Sequence, residues 1–110
     1  MTKTLPIVSA AILASLLGAG WAQAAETAAE RGEILARRWC AACHVVTADQ
    51  TTASSDAPSF FVLTGDRART AAGLADFLLL PGTTHSQMPD LHLSRVEIAD
   101  IVAYVVSLPK

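Results

Sequence analysis

The chain has 110 residues and carries eight Lys or Arg against ten Asp or Glu, with no basic stripe of the kind that grips nucleic acid. That length leaves room for one domain, and the charge balance excludes a nucleic-acid partner. Lys3 precedes an uncharged apolar stretch from Leu5 to Gly18, and Ala22-Gln23-Ala24 has the small-x-small form of a cleavage site. The pattern predicts a secretory leader over 1–24 and a single mature domain over 25–110. Kept rather than cleaved, the same stretch would serve as a membrane anchor. Removing the leader takes Lys3 away, so seven basic residues face ten acidic ones, a net of about −3. The expected location is periplasmic or otherwise exported, soluble after cleavage, with membrane contact only through an uncleaved leader or membrane-bound partners. In an oxidising compartment two cysteines form a disulfide unless other chemistry captures both thiols. About 86 residues also give one hydrophobic core of marginal stability, so a staple or cofactor is expected.

Three helices are predicted in chain order, and no strand. Thr27-Ala28-Ala29-Glu30 is a capping box that opens the first. Ala28, Gly32, Leu35 and Trp39 share one face of it, while Glu33, Arg37 and Arg38 point elsewhere. This helix runs into the first cysteine. A polar loop follows over Val45 to Pro58. The second helix spans about Thr70 to Leu79, with Leu74, Phe77 and Leu78 at i, i+3 and i+4 and Pro81 limiting its end. Pro81 to Pro89 reads as a second loop. Ser94-Arg95-Val96-Glu97 is another capping box, and Ile98, Ile101, Val102, Val105 and Leu108 form the apolar stripe of a long closing helix ended by Pro109.

The chemistry lies where the first helix ends, in Cys40-Ala41-Ala42-Cys43-His44. Two thiols at this spacing add to the two vinyl groups of one haem, and the adjoining imidazole reaches the iron. Cys40 and Cys43 are therefore the expected thioether attachments and His44 the proximal axial ligand of one covalent haem c. A thioredoxin-like redox disulfide is the alternative for a Cys-x-x-Cys pair, but it belongs beside a βαβ pattern. Zinc held by Cys40, Cys43, His85 and His92 is another, although the His-to-His gap exceeds the usual three to five intervening residues.

A second axial ligand decides whether the iron carries electrons or binds small molecules. Met88 is the candidate: it sits in the polar run Ser86-Gln87-Met88-Pro89, with no apolar periodicity to make it core filling. The other methionine, Met1, belongs to the leader. His85 and His92 are rivals, each equally readable as a solvated loop histidine.

These residues resemble the small class I monohaem cytochromes c of bacteria. The resemblance covers nearly all of the mature chain. It rests on Cys-x-x-Cys-His, Ala57-Pro58-Ser59-Phe60 after a loop, Phe77-Leu78 before a proline, His85-x-x-Met88-Pro89, and the closing helix from Leu93-Ser94 to Tyr104. It implies an all-α, compact cytochrome c fold of three or more helices wrapped around one haem c, with His44 and Met88 as axial ligands. It further implies that the Pro58 carbonyl accepts a hydrogen bond from His44 and so orients it, and that Gly32 lets the first and last helices cross closely. Two positions depart from the pattern: Ala36 stands where many relatives carry an aromatic, and Gly82-Thr83-Thr84 separates Pro81 from His85.

The function expected from this reading is one-electron transfer by a diffusible carrier, not catalysis, between exported or membrane-bound redox proteins met through weak transient contacts. The competing reading is a haem-bearing subunit or haem enzyme with a labile sixth site that binds a small ligand or reduces peroxide.

Overall fold

Helices form wherever the sequence supplies both a cap and an apolar stripe. The computed structural model describes residues 2–3, 20, 23–54, 56–63, 70–81 and 87–109. Most of the expected leader, together with Arg67, Arg69 and His85, lies outside these residues. The elements are α1 (Ala28–Trp39), α2 (Phe60–Leu63), α3 (Ala71–Leu79) and α4 (Arg95–Ser107), and no strand occurs among the described residues.

Both capping boxes are formed. The Glu30 backbone N–H donates to Thr27 Oγ1 at 3.2 Å and the Thr27 N–H to Glu30 Oε2 at 2.7 Å. At α4 the Glu97 N–H donates to Ser94 Oγ at 3.2 Å and the Ser94 N–H to Glu97 Oε2 at 2.8 Å. These bonds satisfy donors that a helix start otherwise leaves open, and they hold the Glu30 and Glu97 carboxyls below the ordinary glutamate pKa. α3 uses a simpler cap, with the Gly73 N–H donating to Thr70 Oγ1 at 3.0 Å.

α4 is the element against which α1, α2 and α3 all pack. Its predicted stripe is the core: Ile98, Ile101, Val102 and Val105 are buried, joined by Tyr104, while Leu108 packs at the edge. α1 meets α4 through Gly32, whose position leaves no space beside the Asp100 carbonyl and the Tyr104 side chain. One turn on, Ala36 is 0% exposed. A two-pronged ion pair closes the crossing, with Arg31 Nε and Nη2 donating to the two Asp100 oxygens at 2.9 Å each. The Arg31 guanidinium holds the buried Asp100 carboxyl below its usual range.

Trp39, at the last position of α1, is 47% exposed; it borders the cavity described below, and the Arg38 guanidinium lies over its ring, 4.9 Å from the centroid. One feature differs from the sequence reading. α2 was not predicted, because four residues are too few to show a helical period. Tertiary contacts make it: the Phe60 N–H donates to the Val45 carbonyl at 3.0 Å, the Phe61 N–H to Ser59 Oγ at 3.3 Å, and Phe60 and Leu63 are buried.

Candidate functional site

The end of α1 places the cysteines. The Cys40 and Ala41 N–H groups both donate back to the Ala36 carbonyl, at 2.9 and 3.1 Å, and the chain then curls so that the Cys43 and His44 N–H groups reach the Cys40 carbonyl at 3.2 and 2.9 Å. One tight turn thus brings Cys40, Cys43 and His44 to the wall of a single cavity. Cys40 is buried and Cys43 exposed. Burial, and then the neighbouring Cys43, pushes the Cys40 thiol up to about 11. A thiol of that kind is a poor nucleophile at neutral pH, which is unlike the low-pKa cysteine of a redox-active disulfide.

His44 is held through its ring. Its Nδ1 lies 2.7 Å from the Pro58 carbonyl oxygen. A carbonyl only accepts, so Nδ1 carries the proton and Nε2 keeps its lone pair for a metal. The Phe60 ring flanks the imidazole at 5.5 Å between centroids, tilted by 55°. The loop carrying Pro58 is itself pinned to the segment after His44 by the Phe60 N–H to Val45 carbonyl bond.

The cavity has a volume of about 570 Å³, and every helix contributes to its wall. Phe60 and Leu63 come from α2, Leu74, Phe77 and Leu78 from α3, and Ile101 and Val105 from α4. Met88 enters from the segment preceding α4, and with Pro58 it completes a set in which five sequence-predicted residues, Cys40, Cys43, His44, Pro58 and Met88, share one cavity. The polar side chains Asp56 and Gln87 also border it.

The rivals of Met88 fare differently. His92 does not line the cavity; it is exposed, sits at a positive φ of 52°, and has Nδ1 3.6 Å from Asp90 Oδ2. An Asx turn, with the His92 N–H donating to Asp90 Oδ1 at 2.8 Å, accounts for that backbone. His85 lies outside the described residues. Among the described residues no group of three or more His, Cys, Asp or Glu could hold a metal ion.

One residue of the site gave no signal in the sequence. Gln50 sits in a polar loop and reads as solvated, yet its amide bonds to four backbone groups around the His44 turn. No periodicity or motif distinguishes such a residue.

The residues present fit the haem expected from the motif. A cavity of 570 Å³ lies within the range of about 300–1,000 Å³ typical of small-molecule and cofactor sites. Its walls are apolar, two thiols stand three residues apart at one edge, and an imidazole with a free Nε2 stands beside them. Apolar walls suit a porphyrin face, and the nitrogen and sulfur donors suit iron.

Comparison with characterised proteins finds a cytochrome c-552 of Bradyrhizobium diazoefficiens that is 48% identical over 80 residues, covering 73% of this chain and 74% of that protein. No family model matches the chain, and no solved structure matches it significantly.

Proposed function

The chain belongs to the class I monohaem cytochromes c, and from that premise we propose that it is a one-electron carrier whose haem c is ligated by His44 and Met88. Its fold is all-α, and its cofactor is one covalently attached haem c. A bound haem c supplies an iron that takes up and releases a single electron. The rest falls to the side chains. Cys40 and Cys43 would hold the porphyrin by thioethers, and His44 would give Nε2 to the iron while Nδ1 stays on the Pro58 carbonyl. That hydrogen bond makes the imidazole a stronger donor and keeps its plane from turning.

The observation that carries the proposal is the convergence of His44 and Met88, 44 positions apart in sequence, on one apolar cavity. A thioether favours ferrous iron more than a second imidazole does, and low-dielectric walls disfavour the added charge of ferric haem, so both raise the reduction potential. Held by both His44 and Met88, the iron would offer no open site to a substrate, and the chain would act as a carrier between exported or membrane-bound redox proteins and not as a haem enzyme. The leader over 1–24 and the mature domain over 25–110 belong to the same proposal. Among the described residues no helix is long and apolar enough to cross a membrane.

Absorbance tests the proposal. Ferric protein should show the methionine-sulfur-to-iron charge-transfer band at the red edge of the spectrum, and ferrous protein should not bind carbon monoxide. Met88→Ala should abolish the band, open the iron to carbon monoxide and lower the potential. An unchanged spectrum and potential in that variant would move the sixth ligand away from Met88, and rapid carbon monoxide binding by the native protein would favour the labile-site reading.

A further inference from the structure

We propose that Gln50 is a positioning residue for the proximal iron ligand, fixing the backbone of His44 while Pro58 fixes its ring. The proposal rests on His44 being the proximal ligand. Gln50 is half-buried beneath the turn that carries the cysteines. Its Oε1 accepts from the Val46 N–H at 2.9 Å, and its Nε2 lies 2.9 Å from the Ala41 carbonyl, 2.8 Å from the His44 carbonyl and 2.9 Å from the Thr52 carbonyl. A backbone donor at one end and three carbonyls at the other leave only one sensible orientation of the amide. Two protons on Nε2 serve the three acceptors.

The placement of these acceptors is what makes the residue more than a loop brace. Ala41 lies between the two cysteines, and His44 is the ligand itself, so one side chain ties the thioether turn to the ligand's own peptide. Val46, next but one, is held at both ends: its N–H by Gln50 and its carbonyl by Tyr104 Oη of α4 at 2.6 Å. Across the turn, the Nδ1–H to Pro58 bond secures the other end of His44. Cα and ring are thereby fixed by two separate segments, which a short polar ligand loop needs if the imidazole is to keep its length of hydrogen bond and its plane. Loosening the backbone end lets the Nδ1–H to carbonyl bond lengthen, and a weaker bond there makes the imidazole a poorer donor and favours ferrous iron.

The test uses haem-loaded protein carrying Gln50→Leu, with Gln50→Glu as a second variant that keeps the acceptor for Val46 and loses the donors. Thr27→Ala is the control, since it weakens the cap of α1 without touching the loop. Expected for Gln50→Leu are a ferrous-to-ferric ratio raised about threefold against a fixed redox buffer, and for both Gln50 variants solvent exchange of the His44 Nδ1 proton in the ferrous protein faster by about tenfold. Gln50→Glu adds a negative charge that itself favours ferric iron, so it is read by proton exchange alone. The control should lose stability and move neither. If the Gln50 variants only lose stability, as the control does, Gln50 is an ordinary loop brace and the proposal is wrong. Should Gln50→Leu fail to fold, Gln50→Glu decides by the proton exchange. Retention of haem by denatured native protein is scored separately, because its failure would remove the haem reading and not the role of Gln50 alone.

Discussion

Replacing Gly32 by alanine separates two reasons for a glycine inside a helix. Its φ is not positive, so the backbone does not require glycine there. Helix propensity taken alone favours alanine by about 1 kcal/mol. Space argues the other way. A Cβ built at Gly32 would overlap the Asp100 carbonyl oxygen, stand 2.5 Å from the carbonyl carbon and 2.8 Å from Tyr104 Cβ. Carbon atoms rest at about 3.5–4.0 Å, so α1 and α4 would have to part by roughly 1 Å. The atoms in the way are backbone and a Cβ, and neither can swing aside as the end of a long side chain can. Overpacking of this kind costs about 1–3 kcal/mol, and with backbone atoms in the way it lies in the upper part of that range, so after the gain in helix propensity a net loss of about 1–2 kcal/mol is expected. For a domain this small that is a fall in Tm of about 4–16 °C. Thermal unfolding of ferric holoprotein, followed by circular dichroism, measures it. A Tm equal to or above that of the native protein would show that the close crossing does not govern stability and would refute the reasoning.

Tyr104→Phe should cost about 1–3 kcal/mol, because it leaves the Val46 carbonyl without its 2.6 Å partner; urea titration should show a lower midpoint at unchanged slope. Stability should also fall with acid. Glu30, Glu97 and Asp100 each have a folded pKa below the ordinary value, so the unfolded chain binds more protons between the two values. Their contribution is complete above the unfolded carboxylate pKa of about 4 and is lost as pH falls through the lowered folded values. Urea midpoints at neutral and acid pH check this: the Glu30→Gln, Glu97→Gln, Asp100→Asn triple variant should show a shallower decline than the native protein, and an identical decline would contradict it.

How much was legible in advance depends on how local the signal is. Capping boxes are four-residue patterns whose partners are neighbours, and so Thr27 with Glu30 and Ser94 with Glu97 mark two helix starts correctly. The Cys40-to-His44 motif is equally local, since one turn carries all three groups. Features made by distant contacts escaped. α2 exists because the Val45 carbonyl, distant in sequence, satisfies its first donor and because Phe60 and Leu63 are buried. Gln50 escaped for the same reason, as its value lies in four backbone groups that only the folded loop gathers.

The cavity proposed to hold the haem also bears on whether the chain folds without its cofactor. α2, α3 and α4 all line it, and Phe60, Leu63, Leu74, Ile101 and Val105 belong both to its wall and to the hydrophobic core. Leaving apolar volume unfilled costs about 24 cal/mol for each Å³, which over 570 Å³ is about 14 kcal/mol. Part of the cavity opens toward solvent, which makes this a ceiling. Even half of it matches the entire net stability of a small domain, about 5–15 kcal/mol. The Cys40→Ser, Cys43→Ser double variant, which has no thiol to form a thioether, should therefore retain little cooperative structure when prepared free of haem. Near-ultraviolet circular dichroism and the sharpness of urea unfolding give the measurement. A haem-free chain with native-like aromatic signals and a single steep transition would show that α1 and α4, with the Arg31 to Asp100 pair between them, suffice to hold the fold, and that the cofactor only occupies a space already made.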